Sequence, residues 1–148
     1  MRVDLTRDNS RTQRPNASGR MIGYRVLLVD DDSECRDMLA AFLTLEGHTV
    51  CSAADGAAAM AVALEFHPDV ILTDICMPRV SGVELCRRLR GDPRTRSVPV
   101  LGMTALSQHT WDDFIGSDFD IVLRKPLDLD GLTHRLIEAC NGKVHPPS

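Results

Sequence analysis

Five times along the chain, a short run rich in Val, Ile and Leu is followed by a segment whose apolar residues recur at helical spacing, and this alternation leaves few folds open. The runs are Tyr24–Val29, Thr49–Ala53, Val70–Thr73, Val98–Met103 and Ile121–Leu123. They are apolar nearly throughout rather than strictly alternating with polar residues, the pattern of parallel strands covered on both faces. An α/β domain with a doubly wound parallel sheet is therefore expected.

The intervening segments carry helix start and stop signals. In Glu34–Glu46, the residues Cys35, Met38, Leu39 and Phe42 form one stripe and Gly47 supplies the stop. Asp55 caps an alanine-rich helix that runs to about Glu65, short of Pro68, because a proline disfavours helical geometry in the residue before it. Ser81 and Glu84 have capping-box spacing ahead of Leu85, Cys86 and Leu89, with an end near Gly91. A fourth, less regular helix spans Ser107–Ile115, with Trp111 and Phe114 as its apolar side. The fifth runs from an Asp128 cap through Leu129, Leu132, Leu136 and Cys140 to Gly142.

Residues 1–22 are polar and aperiodic and are expected to form a flexible tail. Residues 23–142 make up the domain and 143–148 a short polar coda, so no output module is expected after it. Met21, immediately before the first strand, is a candidate start position. The net charge of −4 over 148 residues gives no general basic field for a phosphate backbone, which argues against direct nucleic-acid binding. The five cysteines form no CxxC pair and are odd in number, as expected of free thiols in a reducing cytoplasm. No apolar run reaches the roughly 20 residues that span a bilayer. A cytoplasmic protein with no membrane partner is expected.

In an open α/β sheet, ligands bind beyond the carboxyl ends of the strands. The first strand runs into Asp30, Asp31 and Asp32, and the third runs into Asp74. If those strands are neighbours, carboxylates from both converge. Such a cluster repels itself by about 4 kcal/mol per pair at close range and calls for a cation. Oxygen donors of this kind select Mg²⁺, which keeps positions open for phosphate oxygens. Capping of the following helix accounts for Asp32 or Ser33, but not for a run of acids with another acid at the next strand end. The fourth strand delivers Thr104, a hydroxyl donor, and the fifth delivers Lys125, an ammonium point charge. A carboxylate nucleophile, a divalent ion, a hydroxyl and an ammonium around one position are what in-line phosphoryl transfer requires.

The strings VLLVDDD, DVILTDICMPRVSG, VPVLGMTA and VLRKPL, in that order over roughly Arg25 to Asn141, resemble the receiver domain of bacterial response regulators, of the stand-alone CheY-like type. The resemblance implies a five-stranded flavodoxin-like sheet of order 2-1-3-4-5 with five helices. It implies Asp74 as phosphoacceptor; Asp31, Asp74 and the Cys76 carbonyl as direct Mg²⁺ ligands; Asp30 assisting directly or through water; and Thr104 and Lys125 on the phosphoryl group. It also implies a cis peptide before Pro126, aiming Lys125 inward, and room beside Ala105 for the incoming group. The function implied is that of a single-domain response regulator of a two-component phosphorelay, not an enzyme, which promotes only its own phosphorylation and dephosphorylation. A histidine kinase or histidine phosphotransfer protein donates to Asp74, and the face of the fourth helix, fifth strand and fifth helix changes its affinity for a downstream protein target.

The chain departs from the family pattern at three places. Val122 stands where the family switch has an aromatic residue, in a string, FDIVLRKPL, similar to the receiver subset with FDHHLVKP. Asp118 stands where glycine is common. Cys76 and Leu106 occupy the two positions that govern dephosphorylation, and neither side chain positions an attacking water, so a long-lived phosphoaspartate is expected. Two other readings stay open: a Mg²⁺-dependent phosphatase of the haloacid-dehalogenase type, whose nucleophile follows the first strand in a DxD pattern not found here, and a phosphate-independent scaffold on the receiver fold.

Overall fold

The computed structural model describes residues 14–15, 21–105 and 119–142. Its strands are β1 (Arg14–Pro15), β2 (Met21–Ile22), β3 (Arg25–Val29), β4 (Thr49–Ala53), β5 (Val70–Asp74), β6 (Val100–Thr104) and β7 (Ile121–Arg124). The helices among these residues are α1 (Ser33–Leu45), α2 (Gly56–Phe66), α3 (Gly82–Gly91) and α4 (Leu129–Cys140). Strands β3 to β7 form one parallel sheet in the order β4-β3-β5-β6-β7, which is the flavodoxin-like order expected. The helix expected over 107–115 lies outside the described residues, as do Asp118, Leu106, Trp111 and Phe114.

All five residues of β3, β5 and β6 are buried, because helices cover both faces of the sheet. Successive side chains point to opposite faces, so each strand feeds two cores. Leu27, Val29 and Ile71 pack with Ala59, Ala63 and Phe66 of α2 and with Leu85 and Leu89 of α3. Val26, Leu28, Val70, Leu72 and Ile121 pack with Leu39 and Leu43 of α1 and with Leu132 and Leu136 of α4. Each fully buried Leu or Ile contributes about 1.5–3 kcal/mol relative to exposure.

The ladder carries this two-residue phase past the strand ends. The Asp30 N–H donates to the Ala53 carbonyl at 3.2 Å, and the Lys125 N–H to the Thr104 carbonyl at 2.8 Å. Counting by twos, Asp30, Asp74 and Lys125 share the phase of Leu28, Leu72 and Leu123, the set that faces α1 and α4.

Local signals account for most of the boundaries. Asp32 caps α1, accepting from the Glu34 and Cys35 N–H groups, and Asp55 caps α2 by accepting from the Ala58 N–H at 2.8 Å. Ser81 accepts from the Glu84 N–H at 3.2 Å. The Glu84 carboxylate pairs with Arg88 at 2.6 Å. Helix α2 ends at Phe66 with His67 in the left-handed region, just before Pro68. Asp128 holds the N-cap position of α4 but makes no side-chain cap bond, contrary to the sequence expectation. Strand β6 starts at Val100 rather than Val98. The Val98 N–H is taken by the Thr95 carbonyl in a turn, and Pro99 has no N–H to offer the ladder. The pairing of Arg14–Pro15 with Met21–Ile22 was not readable from sequence, since two residues are too few to show a periodicity.

Candidate functional site

Strands β3 and β5 are hydrogen-bonded neighbours in register Val26↔Val70 through Val29↔Thr73, so their carboxyl ends deliver acids to the same place. Oxygens of Asp30, Asp31 and Asp74 lie within 4.8 Å of one another. Asp30 and Asp74 are buried, whereas Asp31 is exposed. From β7, two strands beyond β5, Lys125 reaches back so that its Nζ stands 3.4 Å from Asp30 Oδ2 and 3.7 Å from Asp74 Oδ2. The Lys125–Pro126 peptide is cis, as expected.

Thr104 ends β6, one position past Met103, the register partner of Asp74, and is 1% exposed. Cys76 is exposed, and its backbone N–H lowers the Asp74 pKa. The structure thus brings Asp30, Asp31, Asp74 and Lys125 into one cluster, sets Thr104 at the adjoining strand tip, and leaves the Cys76 main chain near enough to act on Asp74.

Electrostatics follow from this crowding. Burial pushes the Asp74 carboxyl up to about 6; the Lys125 ammonium and the Cys76 N–H pull it down, while the Asp30 and Asp31 charges add to the rise. Burial works against the Lys125 charge, but Asp74 and Asp30 together hold its pKa above the ordinary value. Three carboxylates face one ammonium at the shared point, an all-oxygen acidic donor set that suits a hard divalent cation such as Mg²⁺.

Several contacts that build the site gave no sequence signal. Gly82 donates its N–H to the Ile75 carbonyl at 2.8 Å, folding the loop after β5 back over the acid. A Cβ at Gly82 would fall on the carbonyl oxygen of Asp74 and within 2.7 Å of Ile75 Cα. The Asp32 N–H donates to Asp30 Oδ1 at 2.9 Å, and Arg36 Nη1 donates to the Asp30 carbonyl at 2.6 Å. Burial, then the neighbouring Asp30 carboxylate, pushes the Cys35 thiol up to about 11. Each of these contacts depends on where a turn folds rather than on spacing.

Residues 26–137 match the family described as the response regulator receiver domain, and the chain belongs to that family. It is similar to the DNA-binding dual master transcriptional regulator RpaA of Synechocystis sp., with 39% identity over 114 residues, covering 76% of this chain and 47% of that protein. The chain spans half or less of the length of the curated relatives it matches. Among solved structures, the receiver domain of sensor histidine kinase PA1611 from Pseudomonas aeruginosa PAO1, which has a magnesium ion coordinated in its active site cleft, superposes with a TM-score of 0.75. The identity is 26%, with coverage of 81% of this chain and 99% of that one. The chemotaxis response regulator CheY4 of Vibrio cholerae gives a TM-score of 0.71 at 30% identity, covering 80% and 99%.

Proposed function

We propose that residues 23–142 act as a phosphorylation switch in a two-component phosphorelay, with Asp74 accepting a phosphoryl group from a histidine kinase or a histidine phosphotransfer protein. The observation that carries this reading is the convergence of Asp30, Asp31 and Asp74 with Lys125 at the tips of three strands. An Asp74 oxygen attacks the phosphorus in line, the phosphorus–nitrogen bond to the donor histidine breaks, and the imidazole leaves with that electron pair. Asp31, Asp74 and the Cys76 carbonyl would hold Mg²⁺, with Asp30 assisting; the ion supplies neutralisation of charge on the phosphoryl oxygens. Lys125 neutralises another of those oxygens as a point charge, and Thr104 donates its hydroxyl. With a thiol side chain at Cys76, no group two residues beyond the acceptor orients an attacking water, which favours a long-lived phosphoaspartate.

The output is a change in affinity for a downstream protein target. The net charge of −4 favours a protein over a nucleic acid as the direct partner of this domain. The five free cysteines favour a reducing, cytoplasmic setting. No helix among the described residues is long and apolar enough to cross a membrane.

Incubation with acetyl phosphate or a phosphohistidine donor and Mg²⁺, followed by mass mapping, tests the reading. Label is expected on Asp74 and is expected to vanish in Asp74→Ala. Label on another residue would overturn the assignment, and steady turnover of a phosphate ester would favour the phosphatase reading.

A further inference from the structure

The start of α1 grips Asp30 at both of its ends. Arg36 Nη1 donates to the Asp30 carbonyl at 2.6 Å. The Asp32 N–H closes onto Asp30 Oδ1 at 2.9 Å. The carbonyl that Arg36 holds belongs to the peptide unit joining Asp30 to Asp31, so the contact restrains the backbone between the two acids. Asp31 is exposed, so packing does little to hold its carboxylate in place.

Resting on the reading of this cluster as a Mg²⁺-assisted phosphoacceptor, we propose that Arg36 is a positioning residue: its guanidinium fixes the Asp30–Asp31 peptide so that both carboxylates meet Asp74 at one point. Neither the motif strings nor the family match singles out this side chain. A cation ligand depends on the groups that orient it, and loss of such a partner typically weakens metal binding about 10–100-fold.

The sign of the effect separates positioning from charge. Were Arg36 only a nearby cation, it would compete with a divalent ion for the three carboxylates, and its removal would tighten binding. As a positioning residue it has the opposite effect: removal frees the peptide and loosens binding.

Calorimetric titration of the full chain with Mg²⁺, compared with Arg36→Met and paired with thermal melting of the metal-free proteins, tests the inference. R36M is expected to bind Mg²⁺ about 10-fold more weakly while melting close to wild type. Affinity in R36M equal to or tighter than wild type would overturn the proposal and leave the reading of the site intact. Wild-type protein that takes up no Mg²⁺ would sink the site reading and the proposal together. Should R36M fail to fold, Arg36→Lys, which keeps the charge and loses the planar fork, decides: weaker binding supports the proposal and unchanged or tighter binding overturns it.

Discussion

Lys125 Nζ lies 3.7 Å from Asp74 Oδ2, although β6 separates their two strands in the sheet. The ammonium is the main group restraining the upward shift that burial imposes on this carboxyl, which stands at about 6. Lys125→Met is therefore expected to move the Asp74 pKa further up. Labelling by acetyl phosphate needs the carboxylate, so its acid limb should shift to higher pH in the variant; a labelling profile with an unmoved limb would count against the contact.

The same shift makes a stability prediction. Asp74 is raised in the folded state above its unfolded value of 3.8. For such an acid the folded state binds more protons between the two values, so its contribution to stability is full below 3.8 and is lost as pH rises through about 6. At neutral pH the metal-free protein carries that cost, and Asp74→Asn is expected to stabilise it by about 1–2 kcal/mol, allowing for solvent at the mouth of the site. Urea melts at pH 7 with chelator present would measure it. Added Mg²⁺ should stabilise the wild type by about 2.7 kcal/mol at a hundredfold excess over Kd, and Asp31→Asn by much less.

His48 works in the opposite direction. Its Nδ1 accepts from the Tyr24 N–H at 3.0 Å, its ring stacks on Tyr24, and its buried Nε2 has no hydrogen-bond partner among the described residues. Burial lowers its pKa from 6.5 to about 4. Here the unfolded state binds more protons, so the stability is full above 6.5 and is lost as pH falls through about 4, with a limit of about 3 kcal/mol. His48→Asn keeps an acceptor and cannot take the proton; its melting midpoint should depend less on pH between 6.5 and 4 than that of wild type.

Gly82→Ala tests the loop that backs Asp74. The added methyl has no room against the Asp74 carbonyl and Ile75 Cα, both main-chain groups in a packed strand end. A loss of about 1–3 kcal/mol is expected, together with weaker Mg²⁺ binding, because the backbone of Asp74 must move. Normal metal affinity in a destabilised variant would show that the loop shifts instead.

What the sequence revealed was whatever repeats or stands at an element end. Apolar runs marked the strands, and the acids, Thr104 and Lys125 followed because each adjoins such a run. Contacts made by long side chains across turns left no trace. Arg90 illustrates this: it reaches the Arg96 and Val98 carbonyls and Asp120 Oδ2, fixing the turn ahead of β6. Arg25 is 2% exposed, with its guanidinium over the Phe66 ring, a contact that no spacing in the sequence announces. Gly82 was visible as a letter in a motif, but the carbonyl it makes room for belongs to a residue eight positions earlier. Asp128 erred the other way, a good capping residue that makes no cap bond.

The common pleat phase of Asp30, Asp74 and Lys125 makes the site intolerant of a change in chain length. Swapping one aliphatic residue for another in β3 or β5 alters packing by degrees, but inserting or deleting a single residue there would send a carboxylate through the sheet into the layer occupied by α2 and α3. The strands below the acid cluster can thus drift in composition, while the number of residues leading up to each acid is held fixed.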